Sequence, residues 1–404
     1  MRIAMLHPSL TWRGGAERQV LVFATELQRM GHDVEIFTCA LNEKCYPEYV
    51  KQLKINVVRN PIIRNNQNTI RKRTAIRRLK GRFQGYIEEF PLMLYLGENV
   101  SKNFDIINNH NTPTQWAAFF AKRNSKLPIV WMCNEPPFWF SDSRMRKGLG
   151  KINTPLYQGF DKFTVKNIDK IVTISFIGRS RIEKAYGRSA EIVRPGIDIG
   201  LFQGASGKKV KEQYELENDF VLLQVGNIAR DKRQTDTIVA LHDLCKKHDN
   251  VKLILVGQGP TEKLVALSRK LGVENKVLFL QNCSDEELAQ IYAACDVFVF
   301  PAEITWGLAV IEAMASSKAV VVSKKAGASE IIKNGENGFI IDEPYSKNIV
   351  TQIEKLMSNP YLCQKIGANA YQYTLENLSW EKYTKNMEAV FIKTINNFHQ
   401  IKGL

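Results

Sequence analysis

The sequence predicts an α/β protein of two doubly wound, Rossmann-like domains facing across a cleft. Three observations carry this expectation. The first forty residues alternate strand, glycine loop, helix and strand. A second series of the same alternation begins near Phe220, and a chain of 404 residues has room for two ordinary cores.

In order along the chain, Arg2 to His7 is short and apolar and reads as a strand. Gly14 and Gly15 then form a loop, and Ala16 to Met30 carries apolar residues at helical spacing until Gly31 stops it. Val34 to Thr38 begins the next strand, completing a βαβ opening that requires a parallel sheet. In the second series, Phe220 to Val225 reads as a strand, Gln234 to His248 as a helix and Leu253 to Val256 as a strand. Val277 to Leu280 is the next strand, and Ser284 with Glu287 forms a capping box that starts a helix ending near Ala294. Val297 to Phe300, Leu308 to Ser316 and Ala319 to Ser323 continue as strand, helix and strand.

Between the two series, Ile192 to Asp198 ends in a Pro-Gly turn and passes into a charged, irregular stretch up to Asn218, the best linker. The expected domains are therefore 1–200, 201–378 and a terminal helical segment 379–404 that packs back on the first domain.

Hydrophobic content of 44% and charged content of 24% are those of a folded globular chain. No run of about 18 apolar residues and no signal-peptide core are visible, so a cytoplasmic location is expected. The 7 cysteines are scattered without paired spacing, which indicates neither a disulfide framework nor a zinc site. A formal charge of +15, from 56 basic and 41 acidic residues, predicts attraction to an anion.

In open α/β sheets ligands bind beyond the carboxyl ends of the strands, so the loops there matter most. Thr11 to Arg18 carries Gly14 and Gly15 ahead of a helix amino terminus, where backbone N–H groups can face a phosphate. A simple tight turn explains such a glycine pair equally well. Val225 to Arg233 places Arg230, Lys232 and Arg233 at the mouth of the second sheet, able to neutralise a diphosphate or merely to face solvent. In Phe300 to Ala315, a strand ends in Pro301, Gly307 permits close approach, and the amides of Leu308 and Ala309 can point at a phosphate. Glu312, one turn in, can accept hydrogen bonds from a ribose diol.

With its surroundings, this third loop closely resembles the signature of retaining glycosyltransferases of the GT-B fold, the large group containing bacterial and archaeal mannosyltransferases and enzymes of lipid-linked oligosaccharide assembly. The resemblance spans nearly the whole chain: Gly14 to Glu17, Arg194 to Asp198, Gly226 to Lys232, Gly257 to Gly259, Ser284 to Asp296, Pro301 to Ala315 and Gly335 to Gly338. It implies a nucleotide-sugar donor bound mainly by the second domain and an acceptor bound mainly by the first. Lys232 matches the family's phosphate-binding lysine, Glu312 its ribose-binding glutamate, Leu308 and Ala309 its phosphate-facing amides, and Gly15 the glycine that meets the diphosphate. The resemblance places base recognition near Asn282 and Cys283. His110, at the end of Asp105 to His110, matches a histidine held near the transferring sugar; a lone strand-end histidine is also commonly structural. No metal is expected, because no DxD-type carboxylate pair accompanies these loops, and no cofactor is implied beyond the donor.

Two departures stand out. Ile304 occupies the place of the first glutamate of the family's E-x7-E pattern, with Glu303 one residue away, so either Glu303 reaches the donor sugar or that contact is lost. Asn227 occupies the position of the usual arginine, whose charge Arg230 or Arg233 would have to supply.

From Arg59 to Arg82 the chain has nine basic residues and no acidic one, with apolar residues at helical spacing reaching to Phe90. This reads either as a basic amphipathic surface for an anionic membrane or as a loop and surface helix. Beside the resemblance, it favours a peripheral membrane enzyme acting on a saccharide or polyprenyl-diphosphate-linked acceptor. Trp131 to Phe140 supplies an aromatic acceptor-side wall or a buried corner. Nucleic acid is not an expected partner, since no binding module appears. A dinucleotide oxidoreductase lacks its GxGxxG. A nucleotide-sugar epimerase of the same fold and a sugar-nucleotide-binding partner with little activity remain as alternatives.

Overall fold

The computed structural model describes residues 1–58, 82–137, 140, 150–343 and 345–402, without the side chains of 82–89, 150–154 and 402. The basic run therefore lies outside the described residues, apart from the backbone of Arg82. Phe138 and Trp139 of the aromatic loop lie outside them as well.

The chain divides into two compact units, Met1–Arg194 with the segment from Tyr383 onward, and Pro195–Lys382. Each is a parallel sheet with connecting helices, as the βαβ pattern requires.

In the first unit the strands are β1 (Arg2–His7), β2 (Asp33–Thr38), β3 (Lys54–Val57), β4 (Ile106–His110), β5 (Ile129–Met132), β6 (Lys170–Thr173) and β7 (Glu191–Ile192). Their order is β3-β2-β1-β4-β5-β6-β7, so the winding reverses between β1 and β4. Leu6 pairs with Asn109 there, which sets His7 and His110 side by side at the strand ends. Helix α1 (Gly15–Arg29) follows β1 and buries Val20, Leu21, Phe23, Ala24 and Leu27. Gly31, at φ +86, then takes a left-handed turn that an L side chain rarely adopts. Helix α2 (Arg82–Glu98) packs on α3 (Thr114–Ser125), and α4 (Gly150–Lys166) and α5 (Phe176–Tyr186) complete the layer. Trp116, Trp131, Ile107 and Ile171 sit in the core.

In the second unit β8 (Phe220–Val225), β9 (Val251–Val256), β10 (Val277–Leu280), β11 (Val297–Phe300), β12 (Ala319–Ser323) and β13 (Phe339–Ile341) lie in the order β10-β9-β8-β11-β12-β13. The reversal falls between β8 and β11. Helices α6 (Gln234–Cys245), α7 (Glu262–Lys270), α8 (Asp285–Ala294) and α9 (Leu308–Ala315) connect them, followed by α10 (Tyr345–Met357) and α11 (Pro360–Asn377). The Ser284 capping box is formed in full, each partner satisfying an N–H that the helix start leaves unused. The irregular stretch before β8 holds two short helices, Ile199–Gln203 and Lys208–Gln213.

The terminal helix α12 (Trp380–Lys402) turns Tyr383, Met387, Val390, Phe391 and Thr394 inward, a helical spacing of buried positions. Within the first unit its Tyr383 and Phe391 rings meet Phe23 of α1 at centroid distances of 5.1 and 6.0 Å. Among the described residues no helix is long and apolar enough to cross a membrane.

Candidate functional site

Both sheets reverse their winding where the sequence placed its functional loops, and each reversal opens a crevice at the strand ends.

In the second unit, the loop after β8 is held from beneath by buried amides. Gln224 Nε2 donates to the Lys232 carbonyl at 2.7 Å, and Gln224 Oε1 accepts from Thr237 at 2.7 Å. Gln234 Nε2 donates to the Asn227 carbonyl at 3.0 Å. Gly257 is required on the next strand end: a Cβ there would lie 2.0 Å from the Gly226 carbonyl oxygen. Asn227 and Arg230 are exposed on this loop. Lys232 is largely covered and runs its methylenes past Gly226, with Nζ 3.3 Å from Asp231 Oδ2.

Arg233 is different. Its backbone is left-handed at φ +56, its Nε donates to Asp236 at 2.9 Å and its Nη1 to Glu303 Oε1 at 2.9 Å. The guanidinium also lies 4.5 Å over the Tyr345 ring. Of the three cations that the sequence brings together, Arg233 is therefore committed within the protein.

The loop after β11 is anchored by backbone on both sides. Glu303 N–H donates to the Asp231 carbonyl at 2.8 Å, and Gly327 N–H donates to the Ile304 carbonyl at 2.9 Å. Glu303 turns its carboxylate to Arg233, with Lys325 Nζ at 3.7 Å and the Tyr345 hydroxyl at 3.5 Å. Gly307 has φ +150, and a Cβ on it would lie 2.9 Å from the Phe300 ring, so only glycine starts α9 here without strain. Leu308 and Ala309 are the first helical residues, whose amides have no acceptor within the helix and sit at its positive end.

Glu312 is 7% exposed, and its Oε2 accepts the Tyr292 hydroxyl proton at 2.8 Å. Burial, and then the adjacent Glu312 carboxylate, hold the Tyr292 phenol well above its ordinary value, so it stays a donor. Asn282 takes a left-handed φ of +58 and accepts from Gln258 Nε2 at 2.9 Å. The unit thus brings together Lys232, Gly307, Leu308, Ala309 and Glu312 at the β8/β11 reversal.

In the first unit, Gly14 caps α1 with extended backbone and Gly15 is its first residue. A Cβ on Gly14 would lie 2.6 Å from Glu17 Oε2, and burial raises the Glu17 carboxyl above its usual range. Tyr46 Oη donates to the Gly14 carbonyl at 3.3 Å.

His110 is fully buried. Its Nε2 lies 2.7 Å from Asn108 Oδ1, an acceptor, so that nitrogen carries the proton and Nδ1 keeps a lone pair. Among the described residues Nδ1 has no hydrogen-bond partner, and a buried polar atom left so costs about 1–3 kcal/mol. Burial, and then the neighbouring His7, lower the His110 pKa to about 3; burial lowers that of His7 to about 4. Both rings are neutral at ordinary pH. Trp131 is a core residue of β5 rather than an exposed wall.

Sequence reasoning missed Tyr292, Tyr345 and the amides beneath the β8 loop, and in the first unit His7 and its partners. Only His7 had a visible signal, as it ends the strand beside the one that His110 ends. Among the described residues no group of three or more His, Cys, Asp or Glu is placed to hold a metal.

Comparison with known proteins places this architecture. Residues 13–201 match the family model "Glycosyltransferase Family 4" and residues 207–373 match "Glycosyl transferases group 1". The chain belongs to the group 1 glycosyltransferases of the GT-B fold. It is 28% identical over 225 residues to the GDP-mannose-dependent alpha-(1-6)-phosphatidylinositol monomannoside mannosyltransferase of Mycolicibacterium smegmatis, covering 52% of this chain and 59% of that protein. It is 25% identical over 420 residues to the uncharacterized glycosyltransferase MJ1607 of Methanocaldococcus jannaschii, covering 97% and 98%. The crystal structure of Anabaena HepE in complex with UDP and glucose superposes with a TM-score of 0.76 at 20% identity, over 96% of this chain and 98% of that one. For the first curated relatives, the match spans about three fifths of their length.

Proposed function

We propose that this chain is a retaining, metal-independent hexosyltransferase that takes a nucleotide-diphosphate sugar in its second unit and passes the sugar to a glycan or lipid-linked glycan acceptor held by its first. The observation that carries the reading is the start of α9. There a glycine that tolerates no side chain exposes the Leu308 and Ala309 amides one turn from a carboxylate oriented by Tyr292.

Each group has a defined task. The two amides and Lys232 stabilise the diphosphate as it leaves, when its negative charge grows. Glu312 receives the ribose hydroxyls, and the Tyr292 hydrogen bond keeps the carboxylate in place. Retention then needs no protein nucleophile: diphosphate leaves and the acceptor hydroxyl attacks from one face, and the protein supplies position and charge. His110, neutral and with a lone pair on Nδ1, accepts a hydrogen bond from a sugar hydroxyl. Glu303, engaged by Arg233, shapes the loop rather than touching the sugar. The acceptor is membrane-associated, approached from the cytoplasmic face through the basic segment. Support comes from a mannosyltransferase acting on a phosphatidylinositol monomannoside among the relatives, and from a structural neighbour that holds UDP and glucose.

The test is calorimetric titration with GDP-, UDP- and ADP-sugars, beside Glu312→Ala and Lys232→Ala. One nucleotide class should bind, and both variants should weaken it. Binding of none, or binding indifferent to both substitutions, would overturn the reading.

A further inference from the structure

The strand ends of the first unit carry a second set of functional groups, two strands from His110. In register, His110 lies beside Met132 and Met132 beside Val172, so β4, β5 and β6 end on one rim. At about 4.8 Å per strand, the end of β6 stands about 10 Å from that of β4. Strand β7 lies alongside β6, with Thr173 beside Ile192, and the Val193 N–H donates to the Thr173 carbonyl at 2.9 Å. The chain leaving β6 towards Phe176 and the chain leaving β7 towards Arg194 are thereby brought together.

Phe176 opens α5, and its ring is 57% exposed, so it is not there to fill the core. Arg179, one turn on, holds its guanidinium carbon 5.4 Å from the ring centroid, and Arg194 holds its own at 5.8 Å. One ring thus gathers two like charges, each within the roughly 6 Å over which a cation is drawn to an aromatic face. The arrangement is fixed from behind. Ser175 Oγ accepts from the Gly178 N–H at 2.9 Å, which sets the start of α5, and Arg179 Nε donates to the Ala190 carbonyl at 2.8 Å. Among the described residues Arg179 Nη1 and Nη2 make no hydrogen bond or ion pair, which leaves that edge of the fork to a ligand. Arg181 nearby is taken up by Glu135. Residues 133–137, 174–182 and 193–194, the chain leaving β5, β6 and β7, contain three arginines and that one glutamate, so positive charge is left over.

A charge-assisted hydrogen bond to an anion is stronger than the hold of an exposed phenyl ring, so the ring gathers the cations and an anion uses them. A phosphate monoester presents three acceptor oxygens, enough for two forks, whereas one bidentate fork uses up both oxygens of a carboxylate. We infer that Arg179 and Arg194, gathered on Phe176, bind a phosphate group of the acceptor. This rests on the proposed transferase reading for the word acceptor, but not for the anion site. The site stands apart from the β1/β4 reversal, whose groups are neutral. One small acceptor can therefore present a hydroxyl at the reversal and its phosphate about 10 Å away.

The experiment titrates 15N-labelled full-length protein with methyl phosphate, with sodium chloride and sodium acetate of equal ionic strength as references. Guanidinium N–H signals report on the site, assigned with Arg179→Gln and Arg194→Gln. In the wild type, methyl phosphate should move both arginines with one dissociation constant, and chloride should leave them in place. Each Gln variant should weaken methyl phosphate by about tenfold or more, the loss of one charge-assisted hydrogen bond, read on the remaining arginine. Phe176→Leu leaves every cation in place and should weaken it by about 2- to 5-fold, the share of an exposed cation–π contact. Shifts that chloride reproduces, acetate binding as tightly as methyl phosphate, or Gln variants that bind like the wild type would overturn the inference. If no nucleotide sugar binds in calorimetry while both arginines respond to methyl phosphate, the transferase reading fails and the anion site stands. If a nucleotide sugar binds and the arginines do not respond, the site alone is refuted.

Discussion

The two strand-end crevices share a topology and differ in chemistry. In the second unit, the residues at the β8/β11 reversal are charged and partly open: Arg230 exposed, Lys232 beside Asp231, Arg233 and Lys325 around Glu303, with helix amides at Leu308 and Ala309. In the first unit, the β1/β4 reversal is lined by buried neutral groups, His7, Asn108 and His110, with Asn111 beside them half-buried. Cations and free amides suit an anion, whereas neutral acceptors suit hydroxyl groups. On the proposed reading, the same winding serves an anion in the second unit and hydroxyl groups in the first.

The contrast can be broken most forcefully at Gly257. Gly257→Ala places a Cβ against the Gly226 carbonyl, so backbone has to move and the whole β8 loop with it. A loss of about 3 kcal/mol or more is expected in urea denaturation, together with loss of nucleotide binding. Retention of both would show that the loop is not held as described.

Next in size is Glu312→Ala, which removes a carboxylate already oriented for hydrogen bonding and leaves the buried Tyr292 hydroxyl with one acceptor fewer. Nucleotide affinity should fall by about 2–3 kcal/mol, or roughly 30- to 150-fold, in calorimetry. Lys232→Ala should cost about tenfold, and its effect should shrink with added salt, since Lys232 acts as a charge.

The first unit is sharpened by pH. His7 and His110 have folded pKa values lowered to about 4 and about 3, whereas the unfolded chain takes up protons near the ordinary 6.5. Stability contributed by these neutral rings is therefore complete above pH 6.5 and is lost as pH falls towards 4, by at most about 1.4 kcal/mol per pH unit for each ring. Urea midpoints from pH 7 to pH 4 should fall, and replacing His7 by Asn should flatten the fall.

The smallest effect is expected of Glu303→Gln. Glu303 and Arg233 are about one-third exposed and Lys325 about half, so stability should change by no more than about 1 kcal/mol. If hydrolysis of a bound nucleotide sugar instead collapses with affinity intact, Glu303 serves the sugar directly and its role here is wrong.

The sequence announced the sheets because periodicity and punctuation are local. Phe220 to Val225, Val277 to Leu280 and the Ser284 capping box are found where they were expected. Boundaries moved where propensity outruns packing, as at Gln234 to His248, whose helix ends at Cys245. The glycine and charge signals of the second unit were legible for the same reason, each lying within a single loop. What was not legible is what depends on distant partners: Tyr292 beneath Glu312, 20 residues apart, Arg233 drawn to Glu303 across 70 residues, and Gln19 bonded to Tyr383 across 364. A count of cations in a loop cannot tell a free one from a committed one.

The central claim, that the second unit's crevice takes the anion and the first unit's does not, is tested most directly by amide hydrogen exchange with UDP and with GDP added separately. Protection should rise at Leu308 and Ala309 and across Gly226 to Arg233 for whichever nucleotide binds, with the amides around His7 and His110 unchanged. Protection confined to the first unit, or absent at Leu308 and Ala309 when a nucleotide is demonstrably bound, would contradict the account.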